Sequence, residues 1–192
     1  MRLFVALPVP ASPAYRLVTE DLLAAAPAAR PVPEGAWHIT VRFLGEVFDA
    51  RPVAAAIDAA CRGRPALPCV VEGLGTFPNT GFPPDKKARV AWAAVRAPGI
   101  DALASALEQA TAGFGEPPER RPFVAHVTLA RLPNPADLRS LVDRHRRTLF
   151  AQGRIDRVVL YRSAAGPSGP RYDEVHAAPL GVPSPPHPLG QP

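Results

Sequence analysis

Cysteine is scarce in this chain: Cys61 and Cys69 are the only two among 192 residues. They form no Cys-x-x-Cys pair, and they do not make up the disulfide framework that stabilises many secreted proteins. We therefore expect a protein of a reducing cytoplasm.

Long hydrophobic runs are also missing. No segment approaches the roughly 18 apolar residues that are needed to span a membrane. The first ten residues, MRLFVALPVP, contain an apolar run that is too short for a signal peptide, and no cleavage site follows it. The expectation is a cytoplasmic protein without a membrane partner.

Acidic residues are outnumbered: 17 Asp and Glu against 22 Lys and Arg give a net charge of +5. A bias of this size suits an anionic partner such as RNA or a nucleotide, but it does not identify one. The hydrophobic share of 47% and the charged share of 20% are ordinary for a globular protein. A chain of 192 residues fits one domain, which can be built from two halves.

Hydrophobic periodicity and turn residues predict a repeated order of elements, β-α-β-α-β-β and then α-β-α-β-β. Strands are predicted at residues 2–7, 37–44, 68–74, 88–95, 122–131, 155–163 and 171–180, and helices at residues 13–26, 52–62, 98–112 and 134–147. The second half nearly repeats the first, so we predict an α+β fold with two similar lobes. Residues 1–181 are expected to form a single domain, and the proline-rich residues 182–192 a disordered tail.

The start of the first predicted helix is marked by Ser12 as the N-cap and by Pro13 at the first helical position. Its apolar positions are predicted to be Tyr15, Leu17, Leu22 and Leu23.

The pattern His-x-Thr-x occurs in two predicted strands, 88 positions apart (126 − 38). WHITVRFLG contains His38 and Thr40, and FVAHVTLAR contains His126 and Thr128. Because strand side chains alternate between faces, each His-Thr pair shares one face, and the residues between them point into the core of a lobe. If the lobes face each other, the two pairs converge on one polar cleft. The same alternation predicts Arg42 on the face of His38, with Ile39, Val41 and Phe43 facing the core.

Two imidazoles and two threonine hydroxyls around a cleft suit metal-free phosphoryl transfer at a diester. With an ordinary pKa near 6.5, one imidazole can take a proton from the attacking oxygen while the other gives one to the leaving oxygen. Threonine hydroxyls can donate hydrogen bonds to phosphate oxygens. Arg131 at its strand end and Arg42 can add positive charge.

Two alternatives have to be weighed against this interpretation. A single strand histidine is more often structural than catalytic, but a matched pair in two half-repeats is hard to explain by packing. A zinc site needs a third or fourth ligand, and Glu46, beyond its strand end, is the only carboxylate or cysteine adjacent to either motif. No metal is therefore predicted.

At these residues the chain resembles a known family. WHITVRFLGEV and RPFVAHVTLAR are similar to the two HxTx motifs of the 2H phosphoesterase superfamily, most closely to its RNA 2′,3′-cyclic phosphodiesterase branch, also called the 2′-5′ RNA ligase family. The resemblance runs from RLFVAL to RYDEV. It implies a bilobal α+β domain with antiparallel sheets lining a central cleft and helices outside. One departure is Trp37, where the family usually has Leu.

The resemblance also implies roles for the motif residues. The first histidine is the proton donor and the second the acceptor, so His126 would deprotonate a water that attacks phosphorus. His38 would protonate the departing ribose 3′ oxygen, leaving a 2′-phosphate. Thr40, Thr128 and Arg131 would hold the phosphate oxygens. No cofactor is implied, the partners would be RNA ends or nucleotides with a 2′,3′-cyclic phosphate, and a monomer would suffice.

Two phenylalanines are candidates for stacking on a base: Phe4 on the first strand, and Phe82 in the long proline-rich loop at residues 75–87. Core packing for Phe4 and an ordinary surface position for Phe82 are the alternatives. Two other functions also stay open. One is 2′-5′ ligation of tRNA halves, in which a ribose 5′-hydroxyl replaces water. The other is a non-catalytic RNA-end binding module, whose binding would be salt-sensitive.

Overall fold

The computed structural model describes residues 1–33, 35–78, 87–119, 121–166 and 169–181. Its helices and strands, in chain order, are β1 (Arg2–Pro8), α1 (Pro13–Ala25), β2 (Arg30–Pro31), β3 (His38–Glu46), α2 (Ala50–Cys61), β4 (Leu67–Phe77), β5 (Ala88–Arg96), α3 (Ile100–Ala110), β6 (His126–Ala136), α4 (Arg139–Arg144), β7 (Leu149–Ile155), β8 (Arg157–Gly166) and β9 (Gly169–Pro179).

The strands form one curled antiparallel sheet in the order β7-β4-β5-β6-β3-β1-β8-β9, with β2 paired to β6. We call β4 to β7 the His126 lobe, and β1, β3, β8 and β9 the His38 lobe. The lobes meet where β3 pairs with β6, and Ile39 opposite Val127 is the residue pair that joins them. Helices α1 and α4 pack on the His126 lobe, and α2 and α3 pack on the His38 lobe. The predicted α+β fold with two similar lobes is confirmed. The strands of the two lobes join into one sheet through the pairing of β3 with β6.

Helix α1 begins as predicted. The Ser12 side chain accepts a hydrogen bond from the Ala14 amide at 3.3 Å, and Pro13 is the first helical residue. The buried face consists of Tyr15, Val18 and Leu22, and the Tyr15 ring stacks on Trp37 and on Phe150. The prediction of Leu17 and Leu23 as core positions is wrong: Leu17 is 63% exposed and Leu23 is also exposed. The buried residues are spaced by three and then four positions, which keeps them on one helical face, whereas Leu17 and Leu23 lie toward its two sides.

The largest differences from the predicted elements lie between residues 134 and 155. Asn134 and Pro135 belong to β6, which continues to pair with β5 as far as Ala136, so they do not start a helix. The helix predicted at residues 134–147 is reduced to α4. Strand β7, which pairs with β4, was not predicted, because its sequence LFAQGRI lacks a clear alternating pattern.

Strand β4 continues through Phe77, so the predicted loop at residues 75–87 begins later than expected. Phe82 and the predicted tail at residues 182–192 lie outside the described residues. None of the helices in the described ranges has the length and apolar composition that crossing a membrane requires.

Candidate active site

The antiparallel pairing of β3 with β6 brings the two motifs together. Ile39 lies opposite Val127, so the register places His38 across from Thr128 and Thr40 across from His126, all on the other face of the sheet. Directly opposed residues have Cβ atoms about 5 Å apart. The four motif side chains therefore form one compact group, related by an approximate two-fold axis through the joining pair.

The two imidazoles are oriented in the same way. Nδ1 of His38 lies 2.8 Å from the Ala36 carbonyl oxygen, and Nδ1 of His126 lies 2.7 Å from the Val124 carbonyl oxygen. A carbonyl oxygen only accepts, so each Nδ1 carries the proton and donates it to the residue two positions earlier. In the neutral form of each ring, Nε2 is then the free acceptor. In His38, Nε2 lies 3.1 Å from the Thr40 hydroxyl, which can donate to it.

Burial lowers the pKa values of both motif histidines, and the charge of Arg131 adds to both shifts. Burial lowers the pKa of His38, and the positive charges of His126 and Arg131 lower it further, against the opposing effect of the Ala36 hydrogen bond. Burial also lowers the pKa of His126, again with a contribution from Arg131 and against the Val124 hydrogen bond. These effects favour neutral imidazoles, and a bound anion would favour protonation.

A β-bulge in each motif strand decides which residue follows the threonine into the site. In β3, Val41 has no partner on β1, and in β6, Leu129 has no partner on β5. Each extra residue reverses the alternation, so the third residue after the threonine, rather than the second, returns to the face of the histidine. That residue is Phe43 in β3, where it is 57% exposed, and the exposed Arg131 in β6.

Arg42 consequently points away from the site, and its prediction as a phosphate-binding residue is wrong. It is 4% exposed, and burial lowers the pKa of its guanidinium. The guanidinium donates to the Thr111 hydroxyl at 2.9 Å and to the carbonyls of Glu108, Phe114 and Glu116 at 3.4, 3.2 and 2.7 Å. Arg42 therefore holds together the chain that follows α3.

Phe4 lies beside the site, but it is not available to stack on a base. Its ring is 2% exposed and is packed against the rings of His38, Phe43, Tyr161 and Tyr172, at centroid distances of 5.0 to 5.8 Å. Its role is to bury one side of the His38 imidazole. Tyr161 and Tyr172 were not singled out from the sequence, although both lie on predicted strands.

The His126 side has its own aromatic neighbours. The Phe77 ring meets His126 edge-on at 5.1 Å, and the Trp92 ring lies 6.0 Å from it. Trp92 is opposite Thr128 in the sheet, which places it on the face of the motif. Neither residue was predicted to contribute to the site.

A cavity of about 400 Å³ lies next to His38, separated from it by the rings of Phe4 and Tyr172, which contact the imidazole. Its lining residues are Arg2, Leu3, Phe4, Phe43, Gly45, Glu116, Arg131, Ser163 and Tyr172. Two of them, Arg131 and Tyr172, are close enough to each other for the arginine charge to oppose the burial that raises the pKa of Tyr172. Across the described ranges, no three His, Cys, Asp or Glu side chains are grouped so that they could hold a metal ion.

An α+β fold of two similar lobes, with a His-x-Thr pair on each of the two strands where the lobes meet, defines a two-histidine (2H) phosphoesterase. Residues 9–167 match the model of the 2′-5′ RNA ligase superfamily, and the chain belongs to this superfamily.

Individual relatives agree with this assignment. An RNA 2′,3′-cyclic phosphodiesterase of Methanocaldococcus jannaschii is 24% identical over 178 residues, covering 91% of this chain and 98% of the relative. Another of Geobacillus stearothermophilus is 30% identical over 188 residues, covering 92% of this chain and 56% of that longer protein. Among solved structures, TT0787 of Thermus thermophilus superposes with a TM-score of 0.74 at 29% identity, covering 94% of this chain and 98% of the other.

Proposed function

We propose that this chain is an RNA 2′,3′-cyclic phosphodiesterase that opens a terminal cyclic phosphate to a 2′-phosphomonoester. The observation that carries the proposal is the matched pair of imidazoles, each with Nδ1 bound to the carbonyl two residues earlier and Nε2 left for proton transfer. The activity of the two curated relatives supports it.

In the proposed reaction, neutral His126 accepts a proton from water through Nε2 as the water oxygen bonds to phosphorus. The bond from phosphorus to the ribose 3′ oxygen breaks, and protonated His38 donates its Nε2 proton to that oxygen. The products are a 3′-hydroxyl and a 2′-phosphate, and the two histidines have exchanged protonation states. Each such positioned proton transfer contributes about 10²–10⁴-fold.

The phosphate oxygens are held by groups on the same face. Thr40 and Thr128 donate hydrogen bonds to the non-bridging oxygens. Arg131 supplies a positive charge whose stabilising effect increases as negative charge develops on the phosphate oxygens in the transition state. The diester anion also offsets the effect of burial on His38 and favours the protonated form that the reaction needs.

The test is hydrolysis of nucleoside 2′,3′-cyclic phosphates in EDTA. We expect turnover by the wild-type protein and a decrease of at least about 10²-fold in His38→Ala and in His126→Ala. His176→Ala is the matched control, because His176 is a strand histidine whose partner is Asp58, outside the site. Full activity in either motif variant, or complete loss in EDTA, would contradict the proposal.

A second candidate reaction is 2′-5′ ligation, in which a ribose 5′-hydroxyl takes the place of water at His126. The observation that favours it is the pair of half-buried rings beside His126, Phe77 and Trp92, which offers a surface for the base of an incoming nucleoside. Incubation with paired RNA ends, followed by product analysis on a gel, distinguishes joined from hydrolysed RNA. Retention of RNA without any product would instead indicate a binding module.

A further inference from the structure

We propose that the cavity beside His38 binds the 3′-terminal base of the RNA, and that the Glu116 carboxylate in it selects guanine. This inference rests on the proposed function. If His38 protonates the departing 3′ oxygen, the terminal ribose lies on the His38 side, and its base has to lie nearby.

The cavity has the size and lining of a base pocket. Its volume of about 400 Å³ falls within the range of roughly 300–1,000 Å³ that is usual for small-molecule sites. Arg131, which would hold the phosphate, lines it together with Gly45 and Glu116. The exposed ring of Phe43 and the half-buried ring of Tyr172 also line it, and both contact Phe4. Aromatic rings of this kind can stack on a base.

The chain is built so that the carboxylate of Glu116 reaches this cavity. Gly45 has φ +64°, and a Cβ at this position would overlap the Oε1 atom of Glu116. The positive φ alone favours glycine here, and the overlap shows that the Glu116 carboxylate lies against Gly45, on the strand that carries Phe43.

The backbone of Glu116 is fixed on both sides. Its amide donates to the Leu44 carbonyl at 2.8 Å, and its own carbonyl accepts from the buried Arg42 at 2.7 Å. Gly115, with φ +62°, allows the close approach to Leu44, because a Cβ there would overlap the Leu44 carbonyl oxygen. These backbone contacts fix the position from which the Glu116 side chain starts.

The chemistry of a carboxylate at the end of a base pocket favours guanine. An ionised carboxylate only accepts hydrogen bonds. The Watson–Crick edge of guanine presents two adjacent donors, N1–H and the N2 amino group, which match its two oxygens. Adenine and cytosine each present one amino group, whereas uracil presents two carbonyl oxygens on either side of a single N–H. The expected order is guanine first, adenine and cytosine next, and uracil last.

The negative charge of Glu116 does not prevent RNA binding at this place. Arg2 and Arg131 line the same cavity, so the local charge is positive even with the carboxylate ionised. Glu116 thus lowers the attraction for phosphate only partly, while it adds selectivity for the base.

The test compares kcat/KM for the 2′,3′-cyclic phosphates of guanosine, adenosine, cytidine and uridine. We expect the wild-type protein to prefer guanosine over uridine by about tenfold or more, as a two-point hydrogen bond to a base provides. Glu116→Gln should bring this ratio to within about threefold, mainly by slowing guanosine, because an amide offers one acceptor and one donor. Glu119→Gln is the matched control, since Glu119 pairs with Arg121 and does not line the cavity.

The possible outcomes separate this inference from the proposed function. Equal rates for the four nucleotides, an unchanged ratio in Glu116→Gln, or an equal loss for all four in a folded variant would each overturn the role of Glu116 while leaving the phosphodiesterase intact. If no nucleotide is turned over, the proposed function fails. Calorimetric binding of the four nucleoside 2′-monophosphates then tests the pocket alone, and tighter binding of guanosine 2′-phosphate that is lost in Glu116→Gln would support it. Equal binding would overturn it.

Discussion

At the scale of single residues, both imidazoles are held by the same device, a hydrogen bond from Nδ1 to the carbonyl two positions earlier. This hydrogen bond gives both rings the same tautomer, so it does not explain why one would act as an acid and the other as a base. The difference has to come from their surroundings and from the bound phosphate. Burial lowers the pKa of both histidines, and the charge of Arg131 lowers both further, so a substitution of Arg131 tests the pair together.

We predict that replacing Arg131 by Gln shifts the pH dependence of kcat/KM toward higher pH. A nearby positive charge disfavours protonation, so removing it raises the pKa of both histidines and moves both limbs of the bell-shaped profile in the same direction. The wild-type optimum should lie on the acid side of the ordinary histidine value, because burial lowers both pKa values. The measurement is kcat/KM from about pH 4 to pH 9 with a nucleoside cyclic phosphate.

A suitable control for this profile is Arg96→Gln, since Arg96 is paired with Glu72 at the end of β5. Its profile should coincide with that of the wild-type protein. A profile that loses height in Arg131→Gln without moving along the pH axis would show that Arg131 does not act on the imidazoles.

At the scale of elements, the two β-bulges explain both the success and the failure of prediction from sequence. The His-x-Thr spacing of two residues is short enough for strict alternation to hold, so the shared face of each pair could be predicted. The residue directly after each threonine, Val41 or Leu129, is unpaired and reverses the faces at the next positions. Nothing in VRFLG or LARL marks the bulge, because it depends on the pairing with β1 or β5, which a single sequence does not show.

The bulges lead to opposite predictions for two arginines. We expect Arg42→Met to lower the free energy of unfolding by at least about 2 kcal/mol, because it leaves the buried Thr111 hydroxyl and two part-buried carbonyls without their donor. We expect the exposed Arg131→Met to change it by no more than about 0.5 kcal/mol, while it raises KM for the cyclic phosphate. Urea unfolding and steady-state kinetics on both variants provide the comparison.

The comparison of unfolding free energy with KM in these two variants tests the positions of both arginines. A stable Arg42→Met protein with a raised KM would indicate that Arg42 contacts the phosphate, which would contradict the observed bulge. Equal destabilisation by both substitutions would show that Arg131 is a structural residue.

At the scale of the whole molecule, the lobes do not follow the two halves of the sequence. The His38 lobe combines β1 and β3 from the beginning of the chain with β8 and β9 from its end, and the middle strands form the His126 lobe. Helix α1 follows β1 but packs on the other lobe, as does α3 after β5. The order of elements up to β6 could be predicted from local patterns apart from the two-residue β2, whereas β7 was missed. The exchange of strands could not be predicted, because it is decided by long-range pairing.

The interleaving leads us to propose that residues 1–181 form one domain, with a single cooperative unfolding transition. The last described contacts tie the end of the chain to the body: the Leu180 amide donates to Asp156 at 2.7 Å, and the Gly181 amide donates to Arg64 at 2.8 Å. A protein that ends at Gly181 should therefore unfold within about 1 kcal/mol of the full chain, with coincident far- and near-ultraviolet circular dichroism. A fragment of residues 1–97 should stay unfolded, because neither lobe is complete without strands from the second half. Two separate transitions, or a folded fragment, would show that the halves are independent after all.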